Sequence, residues 1–160
     1  MANSISILKE TYQYVEVLLR LDGTGATGST LLDADALDFY DTTVPSSSDI
    51  QLKFSSAVFN LSGKADVTSS KSGGVVTLLL NHQTTDAEII TLTGNGEIKF
   101  SPSLPIEHPA GGSVLNFNGD INYTVGAETV GHVKVVFQKA SGYYMSHNKW
   151  RKPGQANPYS

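Results

Sequence analysis

The clearest alternation of hydrophobic and polar residues runs from Leu115 to Lys139. Apolar side chains recur at every second position, which is the period of a strand with one buried face. After the turn-like residues 126–129 the alternation resumes, so the segment predicts a long antiparallel hairpin. The apolar positions are Leu115, Phe117, Ile121, Tyr123, Val125, Val133, Val135 and Phe137.

The N-terminal third contains weaker patterns. Residues 4–9 predict a short edge strand or a lead-in to one. The β-branched and aromatic content of residues 12–21 favours a strand, although a helix is the alternative because apolar residues there also share one helical face. The glycines of residues 22–29 predict a loop. Residues 30–40 predict a short strand followed by a helical turn.

Further strands follow along the chain. Apolar residues occupy even positions up to Phe54 and odd positions from Ala57, so the change of parity predicts a bulge or a bend between sheets at Ser55 and Ser56. The apolar run 75–80 predicts another strand. Residues 89–92 and 98–100 flank a glycine-containing turn and predict a second hairpin.

Short strands with short connections define the fold class. Prolines and glycines make residues 102–112 an irregular, exposed crossing. The pattern predicts an all-β, antiparallel β-sandwich, with jelly-roll topology as one option and no long helix. We assign the sandwich to residues 1–142 and an extended C-terminal arm to residues 143–160.

Composition limits the classes of function. A chain of 160 residues is one domain by expectation. Cysteine is absent, so the chain has no disulfides and no thiolate metal site. The first residues lack a secretory pattern and no long apolar run is present, which predicts a soluble protein that does not enter a membrane.

Charge is distributed unevenly. The arm carries Lys149, Arg151 and Lys152 and no acid. Removing these three from the 11 basic residues leaves 8 against 15 acidic residues for the sandwich domain. An acidic domain repels phosphate, so we expect no direct grip on nucleic acid.

No catalytic or metal-binding pattern stands out, and we expect no enzymatic activity and no cofactor. The aspartates at 33, 35, 38 and 41 lack the glycine and final glutamate of a calcium-binding EF-hand loop, which favours a solvated acidic edge. The four histidines are scattered and have no zinc-ligand spacing. No serine lies in a nucleophile elbow.

The arm is the best candidate for a binding segment. It holds the only Trp and lacks the period of a strand or of a helix. Tyr, Trp and Arg dominate the energetics of protein interfaces, so we expect the arm to lie across a neighbouring subunit. The alternatives are that it folds back on its own domain or frays. The predicted partner-binding residues are Tyr143, Tyr144, Trp150, Arg151, Lys152 and Tyr159.

The order of the patterns up to about residue 140 resembles that of small all-β virion structural proteins of tailed bacteriophages. Similar features are the start Met1-Ala2-Asn3 and the early strand Tyr14-Val15-Glu16-Val17. A strand pair and a closing strand pair complete the resemblance. Their matching residues are Ile90, Leu92, Gly94, Gly96, Ile98 and Phe100, then Gly119, Asp120, Ile121, Val133, Val135, Phe137 and Lys139. The arm is a departure, because chains of that group tend to end near the last strand.

The resemblance implies a component of the virion. We expect a capsid decoration, or cement, protein on the head surface that binds the major capsid protein or other virion subunits and forms homo-oligomers on the particle. The alternative is a host-surface or glycan-binding adhesion module of the tail or of a head fibre, with an aromatic platform near Tyr40 or in residues 102–112.

Overall fold

Two antiparallel sheets face each other across a hydrophobic core. The computed structural model of the chain describes residues 2–11, 13–33, 36–37, 52–63, 74–81, 85–106 and 120–139. Sheet A has the order β1-β2-β9-β4-β7 and sheet B has the order β3-β8-β5-β6. The strands are β1 (Ser4–Glu10), β2 (Tyr14–Asp22), β3 (Ala26–Leu32), β4 (Leu52–Gly63), β5 (Val75–Leu80), β6 (Ala87–Thr93), β7 (Asn95–Pro105), β8 (Ile121–Val125) and β9 (Thr129–Lys139).

The strand order identifies the topology. Without β1, the order β2-β9-β4-β7 facing β3-β8-β5-β6 is that of a jelly roll, in which two Greek keys fold over each other. β1 then extends sheet A as a fifth strand beside β2. The predicted β-sandwich is therefore confirmed. The described residues contain no helix that is long and apolar enough to span a membrane.

Alternating apolar residues from both sheets form the core. In β2, Val15, Val17 and Leu19 are buried, and β5 buries Val76 and Leu78 in the same way from the opposite sheet. Each buried position lies two residues from the next because successive side chains of a strand point to opposite faces. At one end of the core, the ring of Phe54 meets those of Phe100 and Phe137 edge to face, with centroid distances of 5.6 and 6.0 Å.

Both predicted hairpins are wrong, although their strands are present among the described residues; Leu115 and Phe117 of the first hairpin lie outside these. β8 belongs to sheet B and β9 to sheet A, so the turn at residues 126–128 joins two sheets instead of two paired strands. The same holds for β6 and β7, which meet at Gly94. The alternation identifies the buried face of each strand. When two consecutive strands belong to different sheets, the buried faces of both still point into the same core. A hairpin and a corner therefore leave the same pattern in the sequence.

Other predictions were partly right. A register shift between Phe54 and Ser56 confirms the bulge, and β4 continues through it as one strand. β2 is a strand, as expected, and β1 is the edge strand. The predicted loop 22–29 is wrong from Ala26 onward, where β3 begins. The expected irregular crossing is also wrong at its start, since β7 continues to Pro105.

Candidate interaction surface

β1 is an edge strand that is held at both ends. At its start, the Asn3 side chain donates to the carbonyl of Thr24 at 2.9 Å and accepts the N–H of Asp22 at 3.2 Å. At its end, the Glu10 carboxylate accepts from the Lys139 ammonium at 2.7 Å. These contacts fix β1 to the β2–β3 connection and to the last residue of β9. The edge of sheet A is thus an ordered surface.

The turn at the end of β2 adds to the first of these anchors. The Asp22 side chain accepts the backbone N–H of Thr24 at 3.0 Å. Hydrogen bonding by Thr24 holds the pKa of the Asp22 carboxyl below its usual value. The turn that the Asp22 carboxylate joins thus also presents the two backbone groups that bind Asn3.

Between its anchors, β1 exposes large apolar side chains on both faces. Ile5 is 39% exposed, and Ile7 and Leu8 are each 50% exposed. Ile5 and Ile7 pair with Leu19 and Val17, whose side chains enter the core, so they extend the inner face of sheet A. Leu8 lies at a bulge, where the register shifts between Ile7 and Lys9, and faces the outer side.

The outer side of sheet A contains an open depression. Its apolar lining includes Leu8, Leu18 and Val58, together with the mostly buried Leu21, and the depression has a volume of about 680 Å³. Arg20, His132 and Lys134 contribute the polar side chains around them. The Lys134 ammonium lies 3.5 Å from the Glu16 carboxylate, and both side chains are partly exposed. A surface that is apolar in places and cationic elsewhere suits a partner that offers apolar contacts and carboxylates.

The basic residues that the structure describes all lie in one of the two sheets. In the part of the chain that the structure describes, every Lys and Arg belongs to a strand of sheet A, namely Lys9, Arg20, Lys53, Lys99, Lys134 and Lys139. The strands of sheet B and the described residues next to them carry only acids, namely Asp33, Asp86, Glu88 and Asp120, whereas sheet A combines its cations with Glu10, Glu16, Asp22 and Glu97. All the large hydrophobic side chains that are exposed among these residues also lie in sheet A. Sheet A is therefore the side better suited to binding.

The outer face of sheet B is a polar surface with internal hydrogen bonds. Asn122 is buried and its amide donates to Asp86 at 2.8 Å and to Asn81 at 3.1 Å. Nearby, the hydroxyls of Thr77 and Thr91 lie 3.1 Å apart, and Thr91 also donates to Glu88. These groups satisfy one another, so this face has less to gain from a protein partner than sheet A.

The four sheet edges differ in how they discourage further pairing. β7 carries Glu97, Lys99 and Pro102, and proline and charge are common means of protecting an edge. β6 presents Glu88 to solvent, and β3 exposes only small residues in its first half. β1 has a bulge at Leu8 and an exposed Lys9 but no proline, and its exposed side chains include three large apolar ones, more than any other edge strand has. Among the described strands, β1 is the edge best suited to accept another strand.

The predicted arm lies outside the described residues, as do its six predicted partner-binding residues. The point from which the chain continues toward it is known. The Lys139 N–H donates to the carbonyl of Gln13 at 2.7 Å, and its side chain is buried against Glu10. Lys139 therefore lies at the end of sheet A where β1 ends.

The other candidate chemistry falls partly outside the described residues. Of the aspartate cluster only Asp33 is described, and of the histidines only His132, which is exposed. Tyr40 lies outside as well. Within the described ranges, no three His, Asp or Glu side chains are grouped so that they would hold a metal ion.

Sequence reasoning missed the outer face of sheet A. Leu18 and Val58 are apolar residues at positions where the alternation of their strands calls for polar ones. That departure from the period was the available signal. It did not reveal that Leu8, from a third strand, shares the same depression, because this depends on the order of the strands.

Comparison with models of known protein families, with curated proteins and with solved structures finds no match for the chain.

Proposed function

We propose that this protein is a virion structural protein of a tailed bacteriophage and that it acts as a capsid decoration protein on the head. The observation that carries the proposal is the concentration of exposed apolar and cationic side chains on sheet A, with Leu8, Leu18 and Val58 around one depression. Such a surface fits stable attachment to another protein.

Two further features support the proposal. Jelly rolls are the architecture of many viral capsid domains, which is an argument by analogy because one fold serves many functions. The residues that resemble those of phage virion proteins occupy structural positions here: Leu92, Ile121 and Val133 are buried, and Gly94 makes a turn with a φ of 70°.

The mechanism is stabilisation by linkage. A protein that binds the assembled shell, and not its separate subunits, stabilises the shell by its free energy of binding. Copies at symmetric positions repeat each contact, and attachment through both a domain surface and an arm raises the effective affinity. In this mechanism sheet A rests on the shell, and Tyr143, Tyr144, Trp150 and Arg151 pack against a neighbouring subunit.

Deletion of residues 143–160 tests the role of the arm. We expect the domain to remain folded, as judged by circular dichroism, because no described strand is removed. Binding to undecorated heads should weaken by about tenfold or more, since aromatic and arginine anchors supply much of an interface's affinity. Quantitative co-sedimentation with heads measures this. A full-length variant with Arg151→Gln and Lys152→Gln separates the effect of charge from that of the aromatic residues.

Two results would contradict the proposal. If the truncated protein binds heads with unchanged affinity, the arm does not serve as an anchor. If cryo-electron microscopy with quantitative mass spectrometry finds the protein absent from virions, the virion assignment fails. Binding of the isolated protein to host cells or polysaccharide, without any capsid, would instead support the adhesion alternative.

A further inference from the structure

β1, which has no partner on its outer edge among the described strands, has the properties of a strand-binding site. Its backbone lies at the margin of sheet A, and Asn3 and Glu10 anchor its two ends. An edge strand offers unpaired N–H and C=O groups, and an extended segment can add to it with main-chain hydrogen bonds. β1 loses little conformational entropy when such a segment binds, because contacts at both of its ends already hold it in place.

The side chains of β1 indicate what such a segment should contain. Ile5 and Ile7 are exposed on the inner side of sheet A, and Leu8 is exposed on the outer side. An added strand directs successive side chains to opposite faces. Two consecutive large apolar or aromatic residues would therefore cover the inner-side isoleucines with one side chain and Leu8 with the other. The chain contains such a pair at Tyr143 and Tyr144.

We propose that residues 140–160 of a second copy of this chain bind along the free edge of β1 as an added antiparallel strand. This inference deepens the proposed function, because it assigns the arm of that proposal to a definite receptor strand. The 21 residues from 140 to 160 are ample for the purpose, since β1 itself has 7 residues.

The direction of the strands favours a second copy over the same chain. β1 and β9 are both antiparallel to β2, so they run parallel to each other. The arm of the same chain would have to reverse its direction and cross about 14 Å, three strand spacings, to pair antiparallel with β1. A neighbour related by a two-fold axis perpendicular to the strands presents its β9, and the chain that follows it, already antiparallel to β1. The exchange is then reciprocal and closed.

Paired substitutions on the two edges of sheet A test the site in the full-length protein. Ile5 and Leu104 are each 39% exposed, and each pairs with a core residue of the adjacent strand. We expect Ile5→Asp to raise the dimer dissociation constant by about tenfold or more, and Leu104→Asp to change it by less than about twofold. Analytical ultracentrifugation gives the constant. Ile7→Lys serves as a second edge variant, and circular dichroism establishes that each variant is folded.

Trp150 provides a direct report on the arm, because it is the only Trp in the chain. Its emission should shift to shorter wavelength as the protein concentration rises through the dimer dissociation constant. Ile5→Asp should move this shift to higher concentration, whereas Leu104→Asp should leave it unchanged. A wild-type chain that stays monomeric, or equal effects of the two substitutions, would overturn the inference.

Cross-linking identifies which chain supplies the arm. The chain has no cysteine, so Ser6→Cys and Ser146→Cys variants each carry one thiol. A short bismaleimide should join the two variants when they are mixed, and a Thr27→Cys variant on β3 should not replace Ser6→Cys. If cross-links form only within single chains that carry both Ser6→Cys and Ser146→Cys, the arm binds its own domain. Dimers that persist after deletion of residues 143–160 would show that the arm does not form the contact between the two copies. Either result overturns the inference.

These experiments use the isolated protein, so they test the binding of the arm to β1 separately from the proposed role on the head. Head binding without cross-links between the arm and β1 would retain the decoration role and reject the receptor strand. Cross-links without head binding would retain β1 as the receptor strand and reject the decoration role.

Discussion

Replacing Gly131 by Ala should lower the free energy of unfolding by roughly 4 kcal/mol. Gly131 adopts a φ of 128°, which side chains rarely tolerate, and a Cβ there would lie only 1.9 Å from the carbonyl oxygen of Asn60. That oxygen belongs to β4, the strand paired with this part of β9. The backbones of two central strands of sheet A would have to separate to make room.

Gly94→Ala is the matched control. Gly94 also has a positive φ, of 70°, but no atom lies within 4 Å of the position that its Cβ would take. Its substitution should cost about 1 kcal/mol, the strain of a left-handed conformation alone. Urea unfolding followed by circular dichroism measures both variants. Equal losses would show that the approach of the β4 backbone to Gly131 is unimportant.

Breaking the ion pair between Glu10 and Lys139 should have the next largest effect. The Lys139 side chain is fully buried and that of Glu10 is 19% exposed. Substituting one partner should therefore lower the free energy of unfolding by a different amount from substituting the other. Glu10→Gln removes the carboxylate that lies 2.7 Å from the buried ammonium and should lower the free energy of unfolding by about 3 kcal/mol. Lys139→Met removes the buried charge and leaves a carboxylate that reaches water, which should cost only about 1 kcal/mol.

A double-mutant cycle checks this explanation. The double variant Glu10→Gln with Lys139→Met contains neither charge of the pair, so its stability should return to within about 1 kcal/mol of the wild-type value. Losses that simply add would show that the two side chains are not coupled. The same variants bear on β1, because this ion pair anchors its end.

The sequence predicted the strands better than their partners. The alternation that includes Ile121 and Val133 correctly placed β8 and β9, and the parity change at Ser55 and Ser56 correctly placed the bulge. The hairpins were wrong because a period of two reports which face of a strand is buried and not which strand lies beside it. Hydrogen-bonded partners follow from the packing of the whole chain.

The candidate surface was predictable only in part. The arm was recognisable from its composition, since aromatic and basic residues without a period indicate a binding segment. The depression was not, because Leu8, Leu18 and Val58 come from three strands that are distant in sequence. Its existence depends on a bulge in β1 and on the order of the strands in sheet A, and neither is encoded in any single segment.

The central position of β9 in sheet A has a consequence for how the protein is made. β9 is the last strand along the chain, and it lies between β2 and β4. While the ribosome synthesises the first 128 residues, these two strands have no common neighbour, and the sheet cannot close. Contacts between distant segments also slow folding. Sheet A of the nascent chain therefore stays incomplete until residues 129–139 emerge from the ribosome. We expect the domain to fold as a unit only then.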